Sequence, residues 1–161
     1  EAAAGARAAY GRGGSRDRAG GGVSAGMREP RTTRVRVTAD PDWYESADIS
    51  LGIRFGDLVF TSGQAPVDEH GRTVGAGDFD AQVRRALANL STVLTHAGSG
   101  LDRLVKLTVF VTDIAHQTAF APLRTEFYGD PRPAESFVQV AALADPEWLI
   151  EIEAVGSVEE R

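Results

Sequence analysis

The chain has 161 residues, 42% of them hydrophobic and 25% charged, with a net charge of −6 and no cysteine. That is enough chain to bury a single core, and it excludes disulfides, thiolate zinc sites and a cysteine nucleophile. Residues 1–36 hold eight Arg against three acids, so residues 37–161 carry −11, and a body this acidic argues against a nucleic-acid platform, which needs a basic surface.

No apolar run approaches the ~18 residues of a membrane span. The first residues also lack the apolar core of a secretory signal. A cytoplasmic protein with no membrane partner is expected.

In chain order, residues 1–26 contain eight of the 18 glycines and eight alanines but few large apolar side chains. Such a segment cannot bury enough surface to offset its ordering entropy and is expected to be disordered. An arginine–glycine arm that binds nucleic acid is the functional alternative, weakened by having one aromatic, Tyr10, for base stacking. The expected division is a Gly/Ala/Arg-rich extension over 1–32 and an α+β domain over 33–161.

The domain opens with "TRVRV" (33–37), a short alternating strand. "DISLGIRFGDLVFTSGQ" (48–64) reads as two strands joined near Gly56-Asp57, a hairpin signal. The glycine-rich loop "DEHGRTVGAGD" (68–78) lacks the third glycine or lysine of a phosphate cradle. From Phe79 the period changes: Phe79, Val83, Leu87, Leu90, Leu94 and Ala97 form the stripe of an amphipathic helix, with Asp78 as N-cap and Gly98 as stop. "RLVKLTVFVTD" (103–113) returns to strand, with Leu104 followed by Val105, Leu107, Val109 and Val111 on one face. A second helix fits 117–128 on the stripe Phe120, Leu123 and Phe127, and strands follow at 136–143 and 148–158. The order β-β-β-α-β-α-β-β suits an α+β sandwich.

Spacing alone singles out few chemical groups. His70, His96 and His116 are far apart and have no partner at metal-ligand spacing, so no metal is expected. Ser62 in "TSGQ" lacks the elbow of a hydrolase nucleophile. Gly63 beside it would expose a backbone N–H at a strand end, where an oxygen can be received. In "WLIEIEAVGSV" (148–158), Glu151 and Glu153 share one strand face while Ile150, Ile152 and Ala154 share the other. A solvated outer face is the simplest reading of those acids.

Three segments, "GDLVFTSGQAPVDEHG" (56–71), "LVKLTVFVTDI" (104–114) and "RPAESFVQVAALADPEWLIEIEAV" (132–155), together resemble the successive signatures of the Rid family, the YjgF-like reactive-intermediate deaminases. The resemblance runs in unbroken order from about Ile49 to Val158. It implies a chorismate-mutase-like α+β sandwich, a mixed sheet with two helices packed on one face. It further implies a homotrimer with clefts between subunits, a small-molecule substrate and no cofactor or metal. Family chemistry releases ammonia from 2-enamine and 2-imine acids. An arginine clamps the substrate carboxylate, an N–H of the Ser-Gly-Gln turn assists, and a glutamate positions water. Matched residue by residue, the turn is Ser62-Gly63-Gln64 and the glutamate is Glu151.

The departures change the expected substrate. Where the family reads Pro-Ala-Arg-Ser, this chain reads Pro133-Ala134-Glu135-Ser136, so an acid stands at the clamp position. Ile49 stands where a pocket tyrosine is usual, and Arg124 where an asparagine is usual. Arg124 would restore a cation, pair with Glu135, or sit solvated beside Glu126. With acids at 135 and 151 in one pocket, a neutral or cationic substrate is expected over a simple 2-imino acid. A hydrolase or deaminase of a small carbon–nitrogen compound is the first reading. A non-catalytic trimer that binds a metabolite or a partner protein is the second, and the acidic body disfavours a third, a ribonuclease.

Overall fold

The computed structural model describes residues 33–158; the segment expected to be disordered lies outside them. Strand β1 (Arg34–Val37) leads through a short 3-10 turn (Glu45–Ala47) to β2 (Gly52–Phe55) and β3 (Leu58–Thr61). Helix α1 (Phe79–His96), β4 (Leu104–Val111), α2 (His116–Phe127), β5 (Ala134–Gln139) and β6 (Ile150–Ser157) follow. The order is the one expected. Among the described residues no helix is long and apolar enough to cross a membrane.

The strands form one sheet in the order β1-β2-β3-β6-β4-β5, so the last strand in sequence enters the middle. Pairing is antiparallel except between β4 and β5, where α2 makes the crossover that a parallel pair requires. Gly56, at φ 62°, closes the β2–β3 hairpin in a conformation that glycine adopts without steric cost.

Helix α1 starts where Asp78 accepts a hydrogen bond from the Ala81 N–H at 3.1 Å. Its stripe of Val83, Leu87, Leu90 and Leu94 is fully buried against Val59, Ile152 and their neighbours. Truncating any one of these leucines to alanine costs about 2–5 kcal/mol. In β4, Leu107, Val109 and Val111 point into this core, while Lys106, Thr108 and Phe110 lie half-buried on the face the helices leave open.

Two expectations need correction. Val105 is 49% exposed because the β4–β6 register shifts between Leu104 and Lys106 and leaves it unpaired. Strand β5 runs over 134–139, earlier than the expected 136–143, so Glu135 is a strand residue.

Candidate active site

The site begins with a defect in the sheet. Phe60 pairs with Val155 and Gln64 with Ile152, so four steps along one chain face three along β6. One residue is extra, the signature of a β-bulge, which re-aims backbone groups and recurs beside active sites. The chain beyond β3 still holds to β6 at both ends. Ala154 N–H donates to Thr61 Oγ1 at 2.9 Å, and Gln64 and Ile152 exchange backbone hydrogen bonds of 2.7 and 3.1 Å. Ser62 is tied inward, its N–H to the Leu51 carbonyl and its hydroxyl to the Ser50 carbonyl at 2.7 Å. The Gly63 N–H, in contrast, makes no hydrogen bond among the described residues.

Glu151 leaves the open face of β6 directly over Gly63. A Cβ at position 63 would fall on the Glu151 carboxylate, so glycine is the residue this approach requires. The carboxylate is half-buried and has no hydrogen bond or ion pair among the described residues. Burial raises its pKa above the usual carboxylate value, and the negative charge of Glu153 adds to the effect. A proton acceptor of raised basicity beside an unoccupied N–H can take a proton from water while the N–H receives developing negative charge.

Around this pair lies a cleft of about 550 Å³ whose walls include Trp43, Tyr44, Ile49 and Trp148, with His70 at its exposed rim. Tyr44 holds the bulge in place: its hydroxyl donates to the Gly63 carbonyl at 2.7 Å and accepts from the Ala65 N–H at 3.0 Å. Burial lifts the Tyr44 pKa to about 12, with a smaller push from Glu151, so the phenol stays a donor at neutral pH. Trp43 Nε1 donates to Gln64 Oε1 at 3.3 Å. The Gln64 amide is turned inward, fully buried, and donates to the Leu51 and Ser62 carbonyls. Its place is behind the wall, supporting the turn.

Two buried polar residues of α1 fix the loops on either side. Asn89 Nδ2 donates to the Ala65 and Val67 carbonyls, both at 2.9 Å. Gln82 donates to the Glu147 carbonyl and accepts from the Leu149 N–H, each at 2.7 Å, which anchors the loop that carries Trp148. None of these six residues, from Trp43 and Tyr44 to Gln82, Asn89, His70 and Trp148, follows from periodicity. An aromatic pair outside any apolar stripe was the available signal, whereas Trp148, expected to open the last strand, lies in the loop before β6 (Ile150–Ser157).

Within one chain the structure does not bring Glu135 to Glu151. Glu151 is opposite Phe110 on the open face, whereas Glu135 is opposite Leu107 on the helix-covered face. There Arg124 Nε donates to both Glu135 oxygens at 2.9 Å, and Tyr128 Oη donates to one of them at 3.3 Å. The guanidinium also packs over Phe120 and Phe137, 5.2 and 5.7 Å from the ring centroids. Glu126 is engaged by Arg84. Arg124 is therefore paired with Glu135, and the expected two-acid pocket is absent from the single chain. Among the described residues no group of His, Asp or Glu is placed to hold a metal ion.

Comparison with known proteins identifies the family. The family profile described as Endoribonuclease L-PSP matches residues 44–158. A 3-aminoacrylate deaminase, RutC, of Acinetobacter baylyi is 35% identical over 102 residues, 63% of this chain and 80% of that one. A RutC family protein of Pyrococcus abyssi is 32% identical over 106 residues, covering 66% of this chain and 83% of its own length. The crystal structure of YyfA from Yersinia pestis, a Rid-family protein of unknown function, matches with a TM-score of 0.73 at 30% identity, over 78% of this chain and 100% of that one. The chain belongs to the Rid family, and its fold is the YjgF-like α+β fold.

Proposed function

We propose that the protein hydrolyses a small imine, enamine or related carbon–nitrogen compound and releases ammonia. The observation that carries this reading is the unpaired Glu151 carboxylate lying over Gly63, whose N–H is free among the described residues. In the proposed reaction Glu151 orients and deprotonates water, and the Gly63 N–H stabilises charge that develops on the substrate. Tyr44 keeps the turn in register. The similarity to a protein named 3-aminoacrylate deaminase supports the reaction type.

The substrate of this chain is proposed to differ from a simple 2-imino acid. Glu135 stands at the expected clamp position and is neutralised by Arg124, so no free cation is offered there. We propose the assembly as a homotrimer with its clefts between subunits. The open face of the sheet supports association: Leu58, Phe60 and Val138 are 37–44% exposed there, next to the half-buried Phe110 and Val155. A ribonuclease, the activity in the family profile's description, is disfavoured because no Lys or Arg lines the cleft among the described residues.

Ammonia release from a panel of amine- and amino-acid-derived imines, generated in place by oxidases with catalase present, tests the reading. Acceleration over the spontaneous rate that disappears in Glu151→Gln supports it. If no imine decays faster with protein, the metabolite-binding reading takes its place, favoured by an acid, Glu135, at the expected clamp position.

A further inference from the structure

The walls of the Glu151 cleft have an uneven chemistry. Trp43, Tyr44 and Trp148 supply aromatic surface, with Ile49 and Val67 between them, and Ile49 leaves 47% of its surface exposed. Among the described residues of one chain, Glu151 is the sole carboxylate lining the cleft, and none of the lining residues is Lys or Arg. The arginines on nearby segments are already engaged. Arg72 is paired with Asp68 at 2.7 Å, and Arg85 donates to the Val67 carbonyl at 2.6 Å.

A 2-imino acid carries its carboxylate on the carbon that water must attack. Seated with that carbon near Glu151, it would set two like charges together in a half-buried space with no Lys or Arg among the described residues of the wall that one chain supplies. An iminium without a carboxylate meets the opposite situation. Its positive nitrogen faces Glu151, and aromatic rings such as those of Trp43 and Trp148 in the wall attract a cation and cover an apolar substituent. We infer that the cleft takes the imine of a primary amine, bearing an aromatic or apolar group and no carboxylate. This rests on the reading above that places the reaction beside Glu151.

The step is hydrolytic and needs no oxidant. Glu151 takes a proton from water as the water oxygen bonds to the iminium carbon. The resulting carbinolamine nitrogen takes up that proton, the carbon–nitrogen bond breaks with its electron pair leaving on nitrogen as ammonia, and the hydroxyl proton passes through Glu151 to that ammonia. The products are an aldehyde and ammonium.

Both tryptophans of the chain line this cleft, so intrinsic fluorescence reports its occupancy. The full chain is titrated with benzylammonium and with benzoate, which share a ring and differ in charge. The inference expects benzylammonium to bind at least about tenfold more tightly, with the preference lost in Glu151→Gln, as removal of one ion-pair contact in a partly desolvated site should do. In parallel, ammonia release is measured from the imines of benzylamine and phenylglycine, which differ by one carboxylate. Faster release from the benzylamine imine supports the inference. Preferential binding of benzylammonium without release from either imine upholds the ligand class and defeats the deaminase reading. Equal or tighter binding of benzoate, faster release from the phenylglycine imine, or no fluorescence response to either compound overturns the inference, the first two outcomes pointing to a cation supplied by a second copy of the chain.

Discussion

The Glu151 carboxylate occupies the space in which a side chain at position 63 would begin. The atoms in the way belong to the mobile end of a long side chain, so Gly63→Ala can be accommodated by turning Glu151 aside. The expected outcome is a modest loss of stability, at the low end of about 1–3 kcal/mol, with ammonia release reduced to the level of Glu151→Gln. Adding Glu151→Gln to Gly63→Ala should then cost nothing more in rate, because the two changes remove one device. Kinetics on the single and double variants check this.

Glu151 also sets a pH signature. Its folded-state pKa lies above the ordinary value of 4.5, raised by burial and by Glu153. The folded state therefore holds the proton more tightly than the unfolded chain. The stabilising contribution is complete below the unfolded pKa and is lost as pH rises through the folded one. Glu151→Gln, uncharged throughout, should melt higher than the native protein at neutral pH, and the gap should close as the pH falls through the carboxylate range. Thermal melts across that range test the sign. A site residue that costs stability while serving activity is the expected trade.

Tyr44→Phe removes one donated and one accepted hydrogen bond from the bulge. Each such bond contributes about 0.5–1.5 kcal/mol net, so the melting temperature should fall by several degrees. Because the turn presents Gly63 to a developing charge, kcat should fall more than KM rises. An equal loss carried entirely in KM would mean that Tyr44 only shapes the wall.

The elements of this fold were legible because their periods are strong. The α1 stripe, the Asp78 cap and the Gly56-Asp57 turn each depend on neighbours within a few residues, and each is where local chemistry places it. Gly63 and Glu151 were reachable through resemblance, but their contact was not, since it depends on a bulge whose register only the folded sheet defines. Gln82 and Asn89 give no signal in the sequence because polar residues on a helix read as solvated. Both are buried, and both spend their amides on the loops that frame the cleft. The separation of Glu135 from Glu151 within one chain has a related cause: spacing shows which residues of one strand share a face, not which face each strand turns to the helices.

Arg124 and Glu135 form a partly buried pair, with side chains 21% and 18% exposed. Arg124→Ala leaves Glu135 without its cation and should cost about 1.5–3 kcal/mol, the range for hydrogen bonds to charged groups. Arg124→Glu combined with Glu135→Arg should recover at least half of that loss, which denaturant melts can resolve. Glu135→Arg alone would set two guanidinium groups together and should be the least stable of the set.

The central claim is that Glu151, held over Gly63, activates water for carbon–nitrogen hydrolysis. The most direct measurement compares native protein and Glu151→Gln in the rate of ammonia release from a freshly generated imine at neutral pH, with folding of both verified by melting. The account predicts acceleration over the spontaneous rate by the native protein and a loss of about tenfold or more in the variant, as removal of a general base entails. Ammonia released equally fast by both proteins would contradict it.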